Sequence, residues 1–221
     1  MANGSSISTT SKSLQELYES KSYEQFIDQL SKERENLGEG IYHYNLGTAY
    51  LKMGRHPESR YHLEKALEEG LFHSGIRKNL NTVVKNLELG TMEEGGHISD
   101  QVLNYATRLS PDFSLCFGLI LAIVFMGLFR FKKIKKTSFI LALIVSLCPI
   151  LFSFSIHRMY RRAIVLEASS VYEGPSKSFE ISSEIPPGMS VIIRADGKDW
   201  FYVESPGHFS GWIDRKRIGI L

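Results

Sequence analysis

Two long apolar segments dominate the pattern of hydrophobic and polar positions along the chain. Residues 113–129 (FSLCFGLILAIVFMGLF) carry no charge for 17 residues, and residues 137–156 (TSFILALIVSLCPILFSFSI) carry none for 20. A bilayer core of about 30 Å requires roughly 17 to 25 helical residues, so each segment is long enough to form a transmembrane helix. The flanking sequences are too short to cover two helices that are apolar on all sides, which favours membrane spans over buried core helices.

The sequences on both sides of these spans are polar enough to form soluble modules. The pattern therefore predicts a multidomain chain, with all-α helical repeats, a two-helix transmembrane hairpin and a small all-β barrel. The predicted parts, in order, are a disordered N-terminus (1–10), a helical-repeat domain (11–90), a linker with a juxtamembrane helix (91–112), a first span (113–131), a basic loop (132–136), a second span (137–157) and a β-domain (163–221).

Residues 40–71 (GIYHYNLGTAYLKMGRHPESRYHLEKALEEGL) have the spacing of two amphipathic helices that face each other. Gly54 breaks the chain between the helices, and Pro57 suits the first turn of the second helix, where a missing N–H is tolerated. Gly70 suits a left-handed C-cap. The small and apolar positions of this helical hairpin are Leu46, Gly47, Tyr50, Leu63 and Ala66.

Related segments flank this helical hairpin. The turn sequence that begins at Lys21 lies 33 residues before the one that begins at Gly54, and residues 74–87 place Leu80 where Leu46 stands in the preceding copy. About three such copies are usually needed for a stable stack, and the chain supplies roughly two and a half. We therefore expect the stack to rest on a partner, on a second copy of the chain, or on the helix predicted over residues 99–109.

The Leu-Gly-x-x-Tyr stretch, the central glycine and Ala66 resemble a tetratricopeptide repeat. The chain departs from the family pattern at Ser59, where alanine is usual, and at Leu71, where proline is frequent. The resemblance implies a concave groove, lined by the first helix of each repeat, that binds an extended or helical peptide. Carried over by position, the groove residues are Tyr44, Asn45, Thr48 and Lys52 from one repeat, with Lys78, Asn79 and Thr82 from the next.

The two groove asparagines suit peptide binding, because a side-chain amide can donate to and accept from a peptide backbone at once. The alternative is that Asn45 and Asn79 are solvated or helix-capping residues. Both interpretations remain open from the sequence.

From Ala163 onward, short β-prone runs alternate with turn signals, and such a stretch of about 60 residues can fold as one small barrel. Asp196-Gly197 is a strong tight-turn dipeptide, and Pro187-Gly188 and Pro206-Gly207 mark two further breaks.

Four motifs of this region occur in the order found in bacterial SH3 domains, and the region resembles that family along its whole length. The motifs are Gly174-Pro175-Ser176, Pro187-Gly188, Trp200-Phe201-Tyr202-Val203 and Gly211-Trp212-Ile213. Tyr172 and Glu173 stand where the family usually has an arginine shortly before the Gly-Pro. The resemblance implies that Trp200 and Trp212 close the core. Tyr172, Tyr202 and Phe209 are the candidates for an exposed aromatic patch that stacks on a peptide or a cell-wall sugar.

The charges around the two spans bear on orientation. The connection 130–136 packs five positive charges into seven residues, against four arginines on the outer flanks, namely Arg108, Arg158, Arg161 and Arg162. Since basic loops resist translocation, this contrast favours a cytoplasmic loop with both termini periplasmic, in the bacterial inner membrane. The first residues lack the basic and apolar regions of a cleavable secretory signal.

Other chemistries receive no support from the sequence. A net charge of +2, without a basic stripe, argues against a nucleic-acid partner. Hydrolase, metalloprotease, phosphate-loop and dinucleotide motifs are missing, so we expect neither an enzyme nor a cofactor. No metal is expected, because the histidines at 43, 56, 62 and 73 lack ligand-like spacing. Cys116 and Cys148 would differ in depth by roughly 7 Å, which disfavours a disulfide.

The order of repeat module, two-span hairpin with a basic loop, and terminal SH3-like domain resembles the BatE-like proteins of bacterial aerotolerance operons. The resemblance covers nearly the whole chain. It implies a membrane scaffold whose partners are other membrane or periplasmic proteins, including Bat proteins with von Willebrand factor A domains, and a role in aerotolerance or envelope stress. The alternatives are a sensor or tether that binds peptidoglycan through the SH3-like domain, and an accessory subunit of an envelope enzyme.

Overall fold

The computed structural model describes residues 13–93, 97–132, 135–194 and 199–221, and of Thr91 it describes the backbone. The predicted disordered N-terminus, the Asp196-Gly197 turn and part of the basic loop lie outside these ranges. The described chain is a mixed helix-plus-sheet fold in which helices precede a seven-stranded antiparallel sheet.

The described helices run from residue 13 to Met159. Their bounds are α1 (13–19), α2 (Tyr23–Lys32), α3 (Glu39–Lys52), α4 (His56–Glu68), α5 (Ser74–Leu87), α6 (Gly90–Glu93), α7 (Ile98–Arg108), α8 (Pro111–Arg130) and α9 (Lys136–Met159). Helices α1 to α5 form the helical module, and α8 with α9 forms a long antiparallel hairpin.

The same turn connects α1 to α2 and α3 to α4. Lys21 and Gly54, 33 residues apart, both adopt left-handed backbone angles, with φ of 59° and 75°. The residue after each donates its N–H to the carbonyl oxygen five positions earlier, at 3.0 and 2.9 Å. These are the bonds of a helix C-cap that closes on a left-handed residue. The repetition of this turn, predicted from the sequence, is present in the backbone.

Close packing of α3 on α4 depends on a residue without a side chain. A Cβ on Gly47 would lie 2.6 Å from Cγ of Leu63, and Ser59 donates a hydrogen bond of 2.7 Å to the Gly47 carbonyl oxygen. Buried apolar side chains on either side of this contact form the core of the helical module, namely Phe26, Leu30, Tyr42, Leu46, Ala49, Leu63, Ala66, Ile76 and Val83.

Helices α8 and α9 pack against each other through small residues. A Cβ on Gly118 would lie 2.7 Å from the carbonyl oxygen of Ser146, and Ser114 and Ser153 are also buried along the contact. Only 11% of the most apolar window of each helix is buried, and large apolar side chains face outward along both. Both helices are long and apolar enough to cross a membrane, and they lie within two residues of the predicted spans.

The seven strands follow α9 without an intervening linker, since β1 begins at Tyr160. Their bounds are β1 (Tyr160–Val165), β2 (Ser169–Tyr172), β3 (Ile181–Ile185), β4 (Ser190–Arg194), β5 (Trp200–Ser205), β6 (Gly211–Asp214) and β7 (Ile218–Ile220). The order in the sheet is β3-β2-β6-β5-β4-β1-β7, and all pairings are antiparallel. The sheet remains open, so the predicted closed barrel is wrong.

Part of the apolar face of this open sheet is covered by the helical module. Leu89 is buried in the same core cluster as the sheet residues Val165 and Val191, and Leu87 packs against that cluster. A sheet with one apolar face needs such a cover. The end of the helical stack thus rests on the sheet of its own chain, whereas α7, its predicted support, lies against β1, β5 and α9.

Candidate functional site

The predicted groove residues of α3 and α5 come together in the structure. The Asn79 side chain donates a hydrogen bond of 3.1 Å to Oγ1 of Thr48, and Thr48 donates one of 2.8 Å to the carbonyl oxygen of Tyr44. All three residues are half-buried. This chain of bonds places the first helices of two successive helical pairs side by side, and one of the two candidate asparagines therefore has a structural role.

The other predicted groove residues keep their polar groups available. Asn45 is half-buried, and its amide forms no hydrogen bond with any described residue. Lys52 and Lys78 are exposed and form no ion pair within the described ranges. Thr82 is exposed and donates a hydrogen bond of 3.0 Å to the Lys78 carbonyl oxygen. An amide and two ammonium groups can therefore donate to the carbonyl or carboxylate oxygens of a bound segment.

The connection between α4 and α5 holds the Tyr44 ring at one end of the groove. The ring lies against His73 at a centroid distance of 5.4 Å, and the hydroxyl oxygen occupies the position that a Cβ on Gly75 would need. His73 Nδ1 accepts a hydrogen bond of 3.1 Å from the Gly75 N–H and so caps α5. Tyr44 is therefore fixed by its surroundings before any partner binds.

Two histidines between α3 and α4 form a pair that the sequence did not reveal. His43 and His62 stack, with their Nδ1 atoms 2.8 Å apart, and the His62 ring also stacks on Tyr50. Burial, helped by the neighbouring His43, lowers the pKa of His62 to about 3, and burial also lowers the pKa of His43. Both rings are therefore neutral near pH 7 and act as packing groups, with one ring nitrogen donating to the other.

An aromatic ladder crosses the outer face of the sheet. Trp212 pairs in register with Tyr172 on one side and Tyr202 on the other, and the Tyr202 and Trp212 rings meet edge to face at 5.6 Å. Trp200 meets Tyr172 edge to face at 5.5 Å, and Arg194 lies over the Tyr202 ring. All four aromatic side chains are half-buried. We call these four residues the aromatic ladder.

The ladder alters the expected roles of three aromatic residues. Trp200 and Trp212 lie on the face opposite the core cluster, so the expectation that they close the core is wrong. Phe209 packs against that core instead of joining Tyr172 and Tyr202 in an exposed patch. The outer face thus exchanges one predicted aromatic residue for two tryptophans.

A buried network of ion pairs joins the helical module to the sheet. Arg60 donates to both oxygens of Glu93, to Glu64 at 2.9 Å and to the carbonyl oxygen of Gly188 at 2.9 Å. Glu93 in turn accepts a hydrogen bond of 2.8 Å from the Ser190 N–H. The Arg60 side chain is 4% exposed, and the link spans residues that are 128 positions apart in the chain.

Arg162 extends this network from β1. It donates to Glu64, and to Glu68 at 3.3 Å. Burial opposes ionisation of Glu64, but the charges of Arg60 and Arg162 outweigh burial and hold the pKa of Glu64 below its usual value. The network is fully charged near neutral pH, and Asp100 adds a further link by accepting a hydrogen bond of 3.3 Å from the Gly207 N–H.

The described residues include no group of three or more histidine, cysteine, aspartate or glutamate side chains that could hold a metal ion. Cys116 and Cys148 are free thiols on the surfaces of α8 and α9. The arrangement as described offers two polar or aromatic binding surfaces on one rigid pair of modules. Comparison with protein-family models, with curated proteins and with solved structures finds no match for this chain.

Proposed function

We propose that the protein is a membrane-anchored scaffold that binds another protein in the groove between α3 and α5. The observation that carries the proposal is the pairing of a structured wall with unengaged polar groups. The Asn79–Thr48 bond fixes the two helices, while Asn45, Lys52 and Lys78 remain available at their surface. A groove of this kind, between the first helices of tetratricopeptide-like repeats, suits an extended or helical segment of a partner.

The anchor in this proposal is the α8–α9 hairpin. Its length, composition and outward-facing apolar side chains support insertion in a bilayer. Two spans return the chain to the side from which it started, and the contacts of Arg60 with Gly188 require the helical module and the sheet to lie on one side. We place the protein in the bacterial inner membrane, with both modules periplasmic and the basic loop cytoplasmic.

The proposed partners are other membrane or periplasmic proteins. The order of the modules supports a Bat-type complex, in which a partner carries a von Willebrand factor A domain and the assembly serves aerotolerance or the response to envelope stress. The chemistry of the groove supports a partner segment with free backbone carbonyl groups or acidic side chains, because its available groups are mainly donors.

Co-purification of the full chain with a co-expressed Bat-type protein that carries a von Willebrand factor A domain tests the proposal. Asn45→Ala should reduce the recovered partner, because the substitution removes an available amide and no bond within the described fold. Gln25→Ala is the matched control, since Gln25 is an exposed amide on α2, away from the groove. Equal recovery of partner by wild type and Asn45→Ala would overturn the groove as the binding site.

The aromatic ladder favours a second candidate function, a tether that binds peptidoglycan. Neighbouring aromatic rings with wet edges can stack on sugar rings, and Tyr172, Trp212 and Tyr202 lie in register across three strands. The full chain in detergent should then pellet with purified sacculi. Trp212→Ala should abolish pelleting, whereas Tyr105→Ala, at an exposed ring on α7, should not. Failure of the wild type to pellet would remove this candidate.

A further inference from the structure

A large cavity lies where the helical module meets the first turn of α8 and the last turns of α9. Its volume is about 1380 Å³, and α4, α5, the α7–α8 connection and β1 supply its walls. A smaller crevice of about 560 Å³ continues between α8 and α9 and shares Pro111, Asp112 and His157 with it. Both openings lie at the end of the hairpin opposite the basic loop, next to the soluble modules.

We infer that this cavity binds an anionic phospholipid from the surrounding bilayer, with the lipid phosphate at Arg108 and Arg161. The inference rests on the proposed insertion of α8 and α9 in the membrane. That insertion places Ser110–Pro111 and His157, which line the cavity, at the level of the lipid head groups.

The charges that line the cavity support an anionic ligand. Lys85, Arg108 and Arg161 are exposed, and their side chains form no hydrogen bond or ion pair with any residue that the structure describes. Arg158 in the adjoining crevice is in the same state. Four cations are thus available to one ligand, and basic residues at the edge of a bilayer attract anionic lipids.

The other charged groups of the lining do not cancel these four cations. Arg60 and Arg162 also reach the cavity, but Glu64 and Glu68 neutralise them within the buried network. Arg108 lies close enough to Glu64 to favour its ionised form without contacting it. The remaining acidic groups in the lining are Asp112 and the carboxylate of Leu221, against the four available cations.

The apolar part of the lining fits an acyl chain. Leu67, Leu80 and Val84 form a half-buried wall on the helical module, and Phe113 continues that wall onto the surface of α8. Phe72, between α4 and α5, is 84% exposed at the rim. An aromatic ring at that position suits the interface between head groups and hydrocarbon, where such rings are enriched. Apolar wall and basic rim together match an amphipathic lipid better than a soluble anion.

Native mass spectrometry of the full chain in detergent tests the inference, with phosphatidylglycerol and phosphatidylcholine of identical acyl chains as probes. We expect the wild type to retain phosphatidylglycerol preferentially. Arg108→Gln with Arg161→Gln should weaken phosphatidylglycerol binding roughly thirtyfold, as expected for the loss of two cations from an anionic-lipid site. Lys132→Gln with Lys135→Gln, at the opposite end of the hairpin, should leave the preference unchanged.

Three results would overturn the inference: no preference for phosphatidylglycerol in the wild type, an unchanged preference in the arginine variant, or an equal loss in the lysine variant. Circular dichroism melting of each variant in the same detergent verifies the fold. Carbonate extraction of membranes separates this inference from the proposed function. A chain that resists extraction but shows no lipid preference overturns the lipid site alone, and a chain released into the aqueous fraction overturns the anchor as well.

Discussion

The guanidinium group of Arg60 lies 2.9 Å from the carbonyl oxygen of Gly188, and it donates to Glu93 with both terminal nitrogens. One side chain of α4 thereby contacts the turn before β4 and the helix after α5. Because the α8–α9 hairpin separates these segments in the chain, the contact joins two modules that the membrane anchor would otherwise leave connected only through itself.

Replacement of Arg60 should therefore destabilise the junction. Arg60→Ala leaves Glu64 and Glu93 buried without their common partner, and the loss of one member of a buried ion pair costs about 3–5 kcal/mol. Arg55→Ala is the matched control on the same helix, since its pair with Glu58 is half exposed and such pairs contribute about 0–1 kcal/mol. Thermal unfolding of the two variants in detergent measures the difference. Equal midpoints would contradict a structural role for the network.

The paired histidines predict a specific dependence of stability on pH. The pKa of His62 is about 3 in the folded state, below its value of 6.5 in the unfolded chain, so acid protonates the unfolded state first. Stability is then complete above pH 6.5 and falls as the pH drops below it, by about 2 kcal/mol at pH 5. His43 acts in the same direction, because burial also lowers its pKa.

His62→Phe should flatten that dependence while keeping a ring stacked between His43 and Tyr50. His208→Phe, at an exposed histidine, should retain the wild-type slope. The measurement is the melting temperature between pH 7.5 and pH 5, a window above the range in which the lowered pKa of Glu64 contributes. A His62→Phe slope equal to that of the wild type would show that the pair does not control this titration.

The close approach of α8 and α9 predicts a strong difference between two glycines on one helix. Gly118→Val places a side chain against the Ser146 carbonyl oxygen and Ile150, and overpacking of this kind costs about 1–3 kcal/mol. Gly127→Val changes helix propensity equally but meets open space within 4 Å. The melting temperature in detergent should fall for Gly118→Val alone. A similar fall in both variants would attribute the effect to propensity.

Features set by local pattern were predictable from the sequence. The two apolar segments predict α8 and α9 to within two residues, because composition and length suffice for such helices. The repeated turn at Lys21 and Gly54 was predictable for the same reason, since the chain breaks at equal spacing. The predicted groove residues on α3 and α5 also lie together, because both helices carry them at matching positions.

Features set by long-range contacts were not predictable. Trp200-Phe201-Tyr202-Val203 is apolar at every position, so alternation could not decide which residues face the core, and a shift by one residue exchanges the two faces. The open sheet depends on Leu87 and Leu89, which belong to the helical part of the sequence. The contact between Arg60 and Gly188 has no local signal, since charge alone does not name a distant carbonyl group.

The central claim is that the helical module and the sheet lie on one side of a membrane that α8 and α9 cross. Single cysteines test it most directly in a background with Cys116→Ala and Cys148→Ala, the only native cysteines. The exposed positions Gln25→Cys, Lys177→Cys and Lys135→Cys report on the helical module, the sheet and the loop. In intact spheroplasts, a membrane-impermeant maleimide should label Gln25→Cys and Lys177→Cys alike, and Lys135→Cys only after lysis. Labelling of one module without the other would contradict the account.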